Sequence, residues 1–132
     1  WWTLLVVRNL MYGQRRFEAI QADLGIARNI LSDRLSTLVE HGVVERVKYQ
    51  DHPERFEYRL TEKGIDLQPV LVALMRWGDK YTAGDSGPPV RLTHECGHDP
   101  EAMLACSACG KQIVPREVTA DFARSGAGAN QG

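Results

Sequence analysis

The sequence predicts a mainly helical α+β domain with one small β-hairpin, and three observations predict it. In three successive segments between positions 2 and 41 the apolar residues recur at spacings of three and four, as on amphipathic helices. Between Gly42 and Thr61 the period drops to two, as in half-buried strands. From Thr61 to about Tyr81 it is helical again. A chain of 132 residues has room for one core, commonly about 100 to 150 residues, and a small appendage. The 16 Lys and Arg balance 17 Asp and Glu, so no global field draws nucleic acid or anionic lipid, and any such contact must be local. The apolar run Trp1 to Val7 is far short of the roughly 20 residues that cross a bilayer, and no signal-peptide pattern is present, so a cytoplasmic protein without membrane contact is expected.

The chain starts at Trp1 inside a periodic segment, which leads us to expect residues ahead of it. Leu4, Leu5, Val7, Leu10 and Met11 place a first, mostly buried helix over Trp2 to Met11, stopped by Gly13. Phe17, Ile20 and Leu24 give a second of two to three turns, ended by Gly25. A third, from about Ala27 to His41, carries Ile30, Leu31, Leu35 and Leu38 on one side and closes at Gly42. In the hairpin, Val47 and Tyr49 alternate with Arg46 and Lys48, and Phe56, Tyr58 and Leu60 with Arg55, Glu57 and Arg59. We expect Arg46, Lys48, Arg55 and Arg59 on one face, opposite Val47, Tyr49, Phe56 and Tyr58. Asp51 and Pro53 mark the tip, because both suit turns and oppose a continuing ladder. Thr61 reads as an N-cap for a long helix that must kink or restart at Pro69, with Val70, Leu71, Leu74 and Trp77 as its apolar stripe. The expected organisation is therefore a domain over 1–83, a Gly/Pro linker over 84–89, a small Cys/His segment over 90–114 and a flexible tail over 115–132.

Helix, short turn, helix and hairpin in this order make a winged helix-turn-helix, whose second helix can enter the major groove of double-stranded DNA. The residues sharpen this: Trp2-Thr-Leu-Leu-Val-Val-Arg-Asn-Leu, Arg16-Phe17-Glu18, Ile30-Leu31-Ser32-Asp33-Arg34-Leu35, Glu40-His41-Gly42-Val43-Val44 and Phe56-Glu57-Tyr58-Arg59-Leu60-Thr61-Glu62-Lys63-Gly64. Over about Trp1 to Tyr81 the sequence resembles the HxlR-type transcription regulators, relatives of the MarR group. The resemblance implies a bacterial homodimeric DNA-binding regulator. Members of that family usually begin with a further helix, often preceded by a cysteine; neither is found in this sequence, so redox sensing by that cysteine gains no support.

Turning the third helix by about 100° per residue sets Asn29, Ser32, Asp33, Ser36 and Thr37 opposite the leucines. Asn29 stands near the helix start and its amide can pair with adenine N6 and N7; Arg28 can reach a guanine or a phosphate. Asp33 is discordant, because phosphates repel it; it can accept from cytosine N4 or pair with Arg34 or Arg28. On the wing, Arg55 and His52 stand near the tip, and Arg55 matches the basic residue that the family's wings carry. Its competing role is a surface pair with Glu57 or Glu54, worth less than about 1 kcal/mol. With 12 basic and 11 acidic residues over 1–83, non-specific affinity should be weak and specificity should come from a dimer on two half-sites. Trp1, Trp2, Val70, Leu71, Leu74 and Trp77 are the expected dimer seam.

The three cysteines, Cys96, Cys106 and Cys109, lie close together and with His94 and His98 offer soft ligands for a structural zinc of Cys3His type. Either histidine can be the fourth ligand. The competing readings are free thiols, or a reversible Cys106 to Cys109 disulfide acting as a redox sensor. No phosphate-binding loop, nucleophile elbow or paired-carboxylate motif is present, so no enzyme is expected. Two functions remain, a sequence-specific regulator and an interaction module that has kept the scaffold but lost DNA contact. Asp33 and the near-neutral charge favour the second; the helix-turn-helix, wing and resemblance favour the first.

Overall fold

The computed structural model describes residues 2–82, 84, 85, 87, 88 and 90–122. Trp1, expected at the dimer seam, and residues 123–132 of the expected tail lie outside them. The elements run α1 (Trp2–Met11), α2 (Phe17–Leu24), α3 (Arg28–Glu40), β1 (Val44–Asp51), β2 (Glu54–Leu60), α4 (Glu62–Ile65) and α5 (Gln68–Thr82). The chain divides into a unit over Trp1–Pro100 and a second over Glu101–Gly132.

In the first unit one core joins the three helices to the wing and to α5. Val6, Val7 and Leu10 of α1, Ile20 of α2, Leu31, Leu35 and Leu38 of α3, Val44 of β1 and Leu71 of α5 are all buried in it. Val7, Leu10, Ile20, Leu31, Leu35, Leu38 and Leu71 are among the positions that the spacing singles out; Val6 and Val44 are not, and Leu4, which it does single out, is exposed. Gly25 caps α2 at φ 61°, a left-handed conformation that strains any β-carbon, and its N–H donates to Gln21 O at 2.9 Å. That single permissive residue makes possible the tight turn into α3.

A buried polar knot fixes α1 on α2. Asn9, only 5% exposed, donates from Nδ2 to Asp23 Oδ2 at 2.7 Å and to Gln14 Oε1 at 2.8 Å, and accepts from Arg8 Nη2 at 3.0 Å. A buried amide without partners would destabilise the fold; here its donors and acceptor are all used. The same turn holds the wing, since Tyr58 N–H donates to Arg15 O at 2.7 Å.

The hairpin forms as the alternation predicts, but its faces do not divide as expected. The strands pair Arg46 with Tyr58, Lys48 with Phe56 and Val47 with Glu57, and directly opposed residues share a face. Arg46 and Lys48 therefore lie with the aromatic residues of β2, and Val47 lies with Glu57. A bulge between Lys48 and Gln50 leaves Tyr49 as the extra residue, so Arg55 opposes Gln50. Register is a property of both strands and the bulge, and alternation within one strand does not contain it.

Thr61 caps α4, accepting from Gly64 N–H at 3.2 Å, and α5 starts afresh at Gln68 with Pro69 in its first turn, where the missing N–H costs nothing. On α5, Val70, Leu74, Trp77 and Tyr81 are exposed, whereas Leu71 is 4% exposed. Leu71 thus belongs to the core of its own chain and not to the outward stripe, because it is turned about 100° from Val70. The first unit extends past the expected linker to Pro100: Arg76 of α5 donates from Nε to Pro100 O at 2.6 Å and pairs with Asp99. In the second unit Ala105 bridges Gln112 and Ile113 N–H donates to Leu104 O at 2.7 Å. A 3-10 turn follows over Pro115–Glu117, inside the stretch expected to be a flexible tail.

Candidate nucleic-acid interface

With Leu31, Leu35 and Leu38 pinned in the core, α3 turns Arg28, Asn29, Ser32, Asp33, Ser36 and Thr37 outward, and all six are exposed. Two of them are already engaged. Asp33 Oδ2 lies 3.5 Å from Arg34 Nη1, which answers its charge within the helix, and Thr37 Oγ1 donates back to Asp33 O at 3.1 Å. Arg28 leans toward α2, with its guanidinium 4.7 Å from the Phe17 ring centre. Asn29, Ser32 and Ser36 remain as the exposed uncharged polar row.

On the wing the carboxylates that could occupy Arg55 are taken by others. Glu57 accepts from Arg59 Nε at 2.7 Å, and Glu54 lies 3.6 Å from Lys48 Nζ. Among the described residues Arg55 has no salt bridge. His52 is exposed at the tip beside Pro53. Between the start of α2, the start of α3 and the wing lies an open cleft of about 590 Å³, whose cationic lining is Arg16, Arg28, Arg46 and Arg55. Sequence reading singled out Arg28 and Arg55 but gave no site role to Arg16 or Arg46. The cleft gathers side chains from three elements, and only the position of Arg16 directly before Phe17 hinted at it.

The cysteines fall in both units, Cys96 in the first and Cys106 and Cys109 in the second. Within either unit no three His, Cys, Asp or Glu side chains are gathered as a metal group among the described residues. Each turn is nonetheless well formed. In the first, His94 N–H donates to His98 O and Gly97 N–H to His94 O, both at 2.8 Å, while Cys96 N–H donates to His94 Nδ1 at 3.2 Å. In the second, Cys106 N–H donates to Lys111 O at 2.8 Å and Gly110 N–H to Cys106 O at 2.7 Å. Gly97 and Gly110 both take positive φ, 86° and 74°. His94 therefore opens its turn as Cys106 opens the other, and His98 closes its turn as Lys111 does. Hydrogen bonds from the Cys109 and Ala108 backbone N–H groups, helped by the Cys109 side chain, hold the Cys106 thiol below its ordinary pKa and favour the thiolate.

The HxlR-like helix-turn-helix family matches residues 1–86. An uncharacterized HTH-type transcriptional regulator of Mycobacterium bovis, Mb3122, is 49% identical over 119 residues, which cover 89% of this chain and 75% of that protein. Among solved structures, PA1607 superposes with a TM-score of 0.81 at 34% identity, covering 93% of this chain and 87% of its own. The reduced form of the transcriptional regulator YodB from Bacillus subtilis superposes with a TM-score of 0.54 at 33% identity, covering 65% and 83%. No helix among the described residues is long and apolar enough to cross a membrane. The core, the exposed face of α3 and the wing agree with these likenesses, and the chain belongs to the HxlR-like helix-turn-helix family of transcriptional regulators.

Proposed function

We propose that the protein acts in the cytoplasm as a homodimer on a pseudo-palindromic DNA operator. Each α3 lies in a major groove, about 34 to 36 Å from its twin, and each wing reaches the flanking backbone. The observation that carries this reading is Arg55: its carboxylate neighbours are paired with other cations, which leaves an exposed guanidinium on the wing beside the exposed row of α3. The pairing of Asp33 with Arg34 weakens the case for an interaction module that has lost DNA contact, because the charge that would repel phosphate is partly answered.

Two substitutions test the reading against fragments of the source genome retained by the wild-type protein. Arg55→Ala should weaken binding to operator and unrelated duplex alike and lower the slope of log affinity against log salt by about one per contact. Asn29→Ala should leave that slope alone and relax base preference at one position per half-site, by about 1 to 3 kcal/mol for each contact. Affinity unchanged in both would put the interaction module ahead.

The spacing of the ligands along the chain further supports a structural zinc held by Cys96, Cys106, Cys109 and one histidine. His94 is the favoured fourth ligand over His98, since it holds the turn position that Cys106 holds in the Cys-x-x-Cys-Gly turn. Thiolates with one imidazole suit zinc in closed tetrahedral sites. Protein purified without added metal should carry about one zinc per chain, and Cys106→Ser should lose it. The stabilised Cys106 thiolate suits zinc ligation and equally its competitor, a disulfide with Cys109. If metal is absent and mild oxidation closes that bond within the chain, the redox reading replaces the zinc.

A further inference from the structure

Three arginines of the cleft between α2, α3 and the wing are each laid on an aromatic ring. The Arg46 guanidinium carbon sits 3.7 Å from the Phe56 ring centre, Arg16 lies 4.7 Å from Tyr49, and Arg28 lies 4.7 Å from Phe17. Each ring belongs to the cleft wall, so the cations are presented into one space and not scattered over the surface. A stacked guanidinium keeps its hydrogen-bonding edge free while its face is covered. It also has less rotamer freedom to lose when a ligand arrives.

The charge of the cleft runs against that of the chain. Its lining holds four arginines and two carboxylates, Glu18 and Glu54, and Glu54 is paired with Lys48. The near balance of charge over 1–83 therefore hides a local excess of positive charge at the junction of wing and helix-turn-helix. Ser32 of α3 is part of the same wall and supplies a neutral donor.

We propose that this cleft is a phosphate clamp: Arg16, Arg28 and Arg46, each backed by an aromatic ring, grip a phosphodiester of the DNA strand that passes between α2 and the wing. The clamp rests on the operator-binding reading and deepens it. It assigns sequence-independent affinity to residues separate from the Asn29 row, and it explains how a chain with so little net charge can hold a polyanion. A small free anion has the same chemistry. The cleft is open and lies between the two elements assigned to DNA, which favours the polymer as occupant.

The test uses the full chain and a duplex that the wild-type protein retains. Arg16→Gln and Arg46→Gln should each weaken binding to operator and scrambled duplex by the same factor, about 3- to 10-fold near physiological salt. Each should lower the salt slope by about one per chain. Tyr49→Leu, which removes the ring beneath Arg16, should reproduce part of the Arg16→Gln loss, and Tyr49→Phe should restore wild-type binding. Thermal melts of all four variants check that the fold is intact. Unchanged affinity and slope in both arginine variants, with wild-type protein still bound, would overturn the clamp and leave the operator reading standing. A loss confined to the operator would also overturn it, by making these arginines base readers. Inorganic phosphate that binds wild-type but not Arg46→Gln protein at low millimolar concentration, without displacing bound duplex, would identify a small-anion site and reject the strand. Failure of wild-type protein to retain any duplex would overturn both readings together.

Discussion

Replacing Leu74 and Trp77 together by glutamate is expected to convert the proposed dimer to a monomer and to abolish binding to the proposed operator. Val70, Leu74, Trp77 and Tyr81 stand 60, 44, 61 and 64% exposed along one side of α5, at spacings of four, three and four residues. That is a continuous apolar stripe on a helix that is anchored in the core by Leu71, about 100° round from Val70. Trp77 and Tyr81 already pack against one another in a tilted arrangement, with ring centres 5.7 Å apart, which makes a broad surface. A second copy of the same stripe can cover it under twofold symmetry. Burying a Leu side chain stabilises by roughly 1.5 to 3 kcal/mol, so removing two anchors per chain and placing four carboxylates in the seam should weaken the dimer by far more than 100-fold. Sedimentation at tens of micromolar reads the first consequence. The second follows because a monomer has one α3 and one wing, and an operator of two half-sites gives it only half the contacts. A variant that stays dimeric would move the interface off α5. One that becomes monomeric yet binds the operator normally would refute the two-half-site reading.

Much of this fold can be read from the chain because the helices have one core each to face. Leu31, Leu35 and Leu38 are spaced for burial, and burying them fixes which residues of α3 point outward; Asn29 and Ser32 are therefore identifiable from the sequence. The hairpin was legible as an element but not in its register. Period two says that a strand alternates; which residue of β1 opposes Phe56 depends on the bulge at Tyr49, and one extra residue exchanges the faces beyond it. The arginine cleft is hidden for the same reason, since alternation alone puts Arg46 on the face away from Phe56, the ring on which it rests. Asn9 was hidden differently. A lone Asn in a helix reads as surface, and only the position of Asp23, fourteen residues on, shows that its amide is buried and answered.

Gly64→Ala should destabilise the protein by about 1 to 3 kcal/mol or more, although the position is helical and alanine is the better helix former. A β-carbon there would overlap the carbonyl oxygen of Val43 and come within 2.8 Å of Leu60 Cδ2. The first of these is backbone, which cannot turn aside as a side chain can. The close approach serves a junction. Thr61 Oγ1 donates to Gly42 O at 2.6 Å, Thr61 N–H to Val43 O at 3.1 Å, and Lys63 Nζ to His41 O at 2.9 Å, so the start of α4 grips the chain where α3 passes into β1. Forcing α4 outward would loosen the angle between α3 and the wing, the two elements proposed to read the operator together. Gly78→Ala is the matched control. Its β-carbon would meet only Thr82 Oγ1 at 3.8 Å, so it should gain up to about 1 kcal/mol of helix propensity. Thermal or urea melts of the two variants should therefore move in opposite directions, the Gly64 variant down by several degrees and the Gly78 variant level or up. A Gly64 variant as stable as wild type would show that Val43 and α4 can separate at no cost, and that the wing is not held to α3 by this contact.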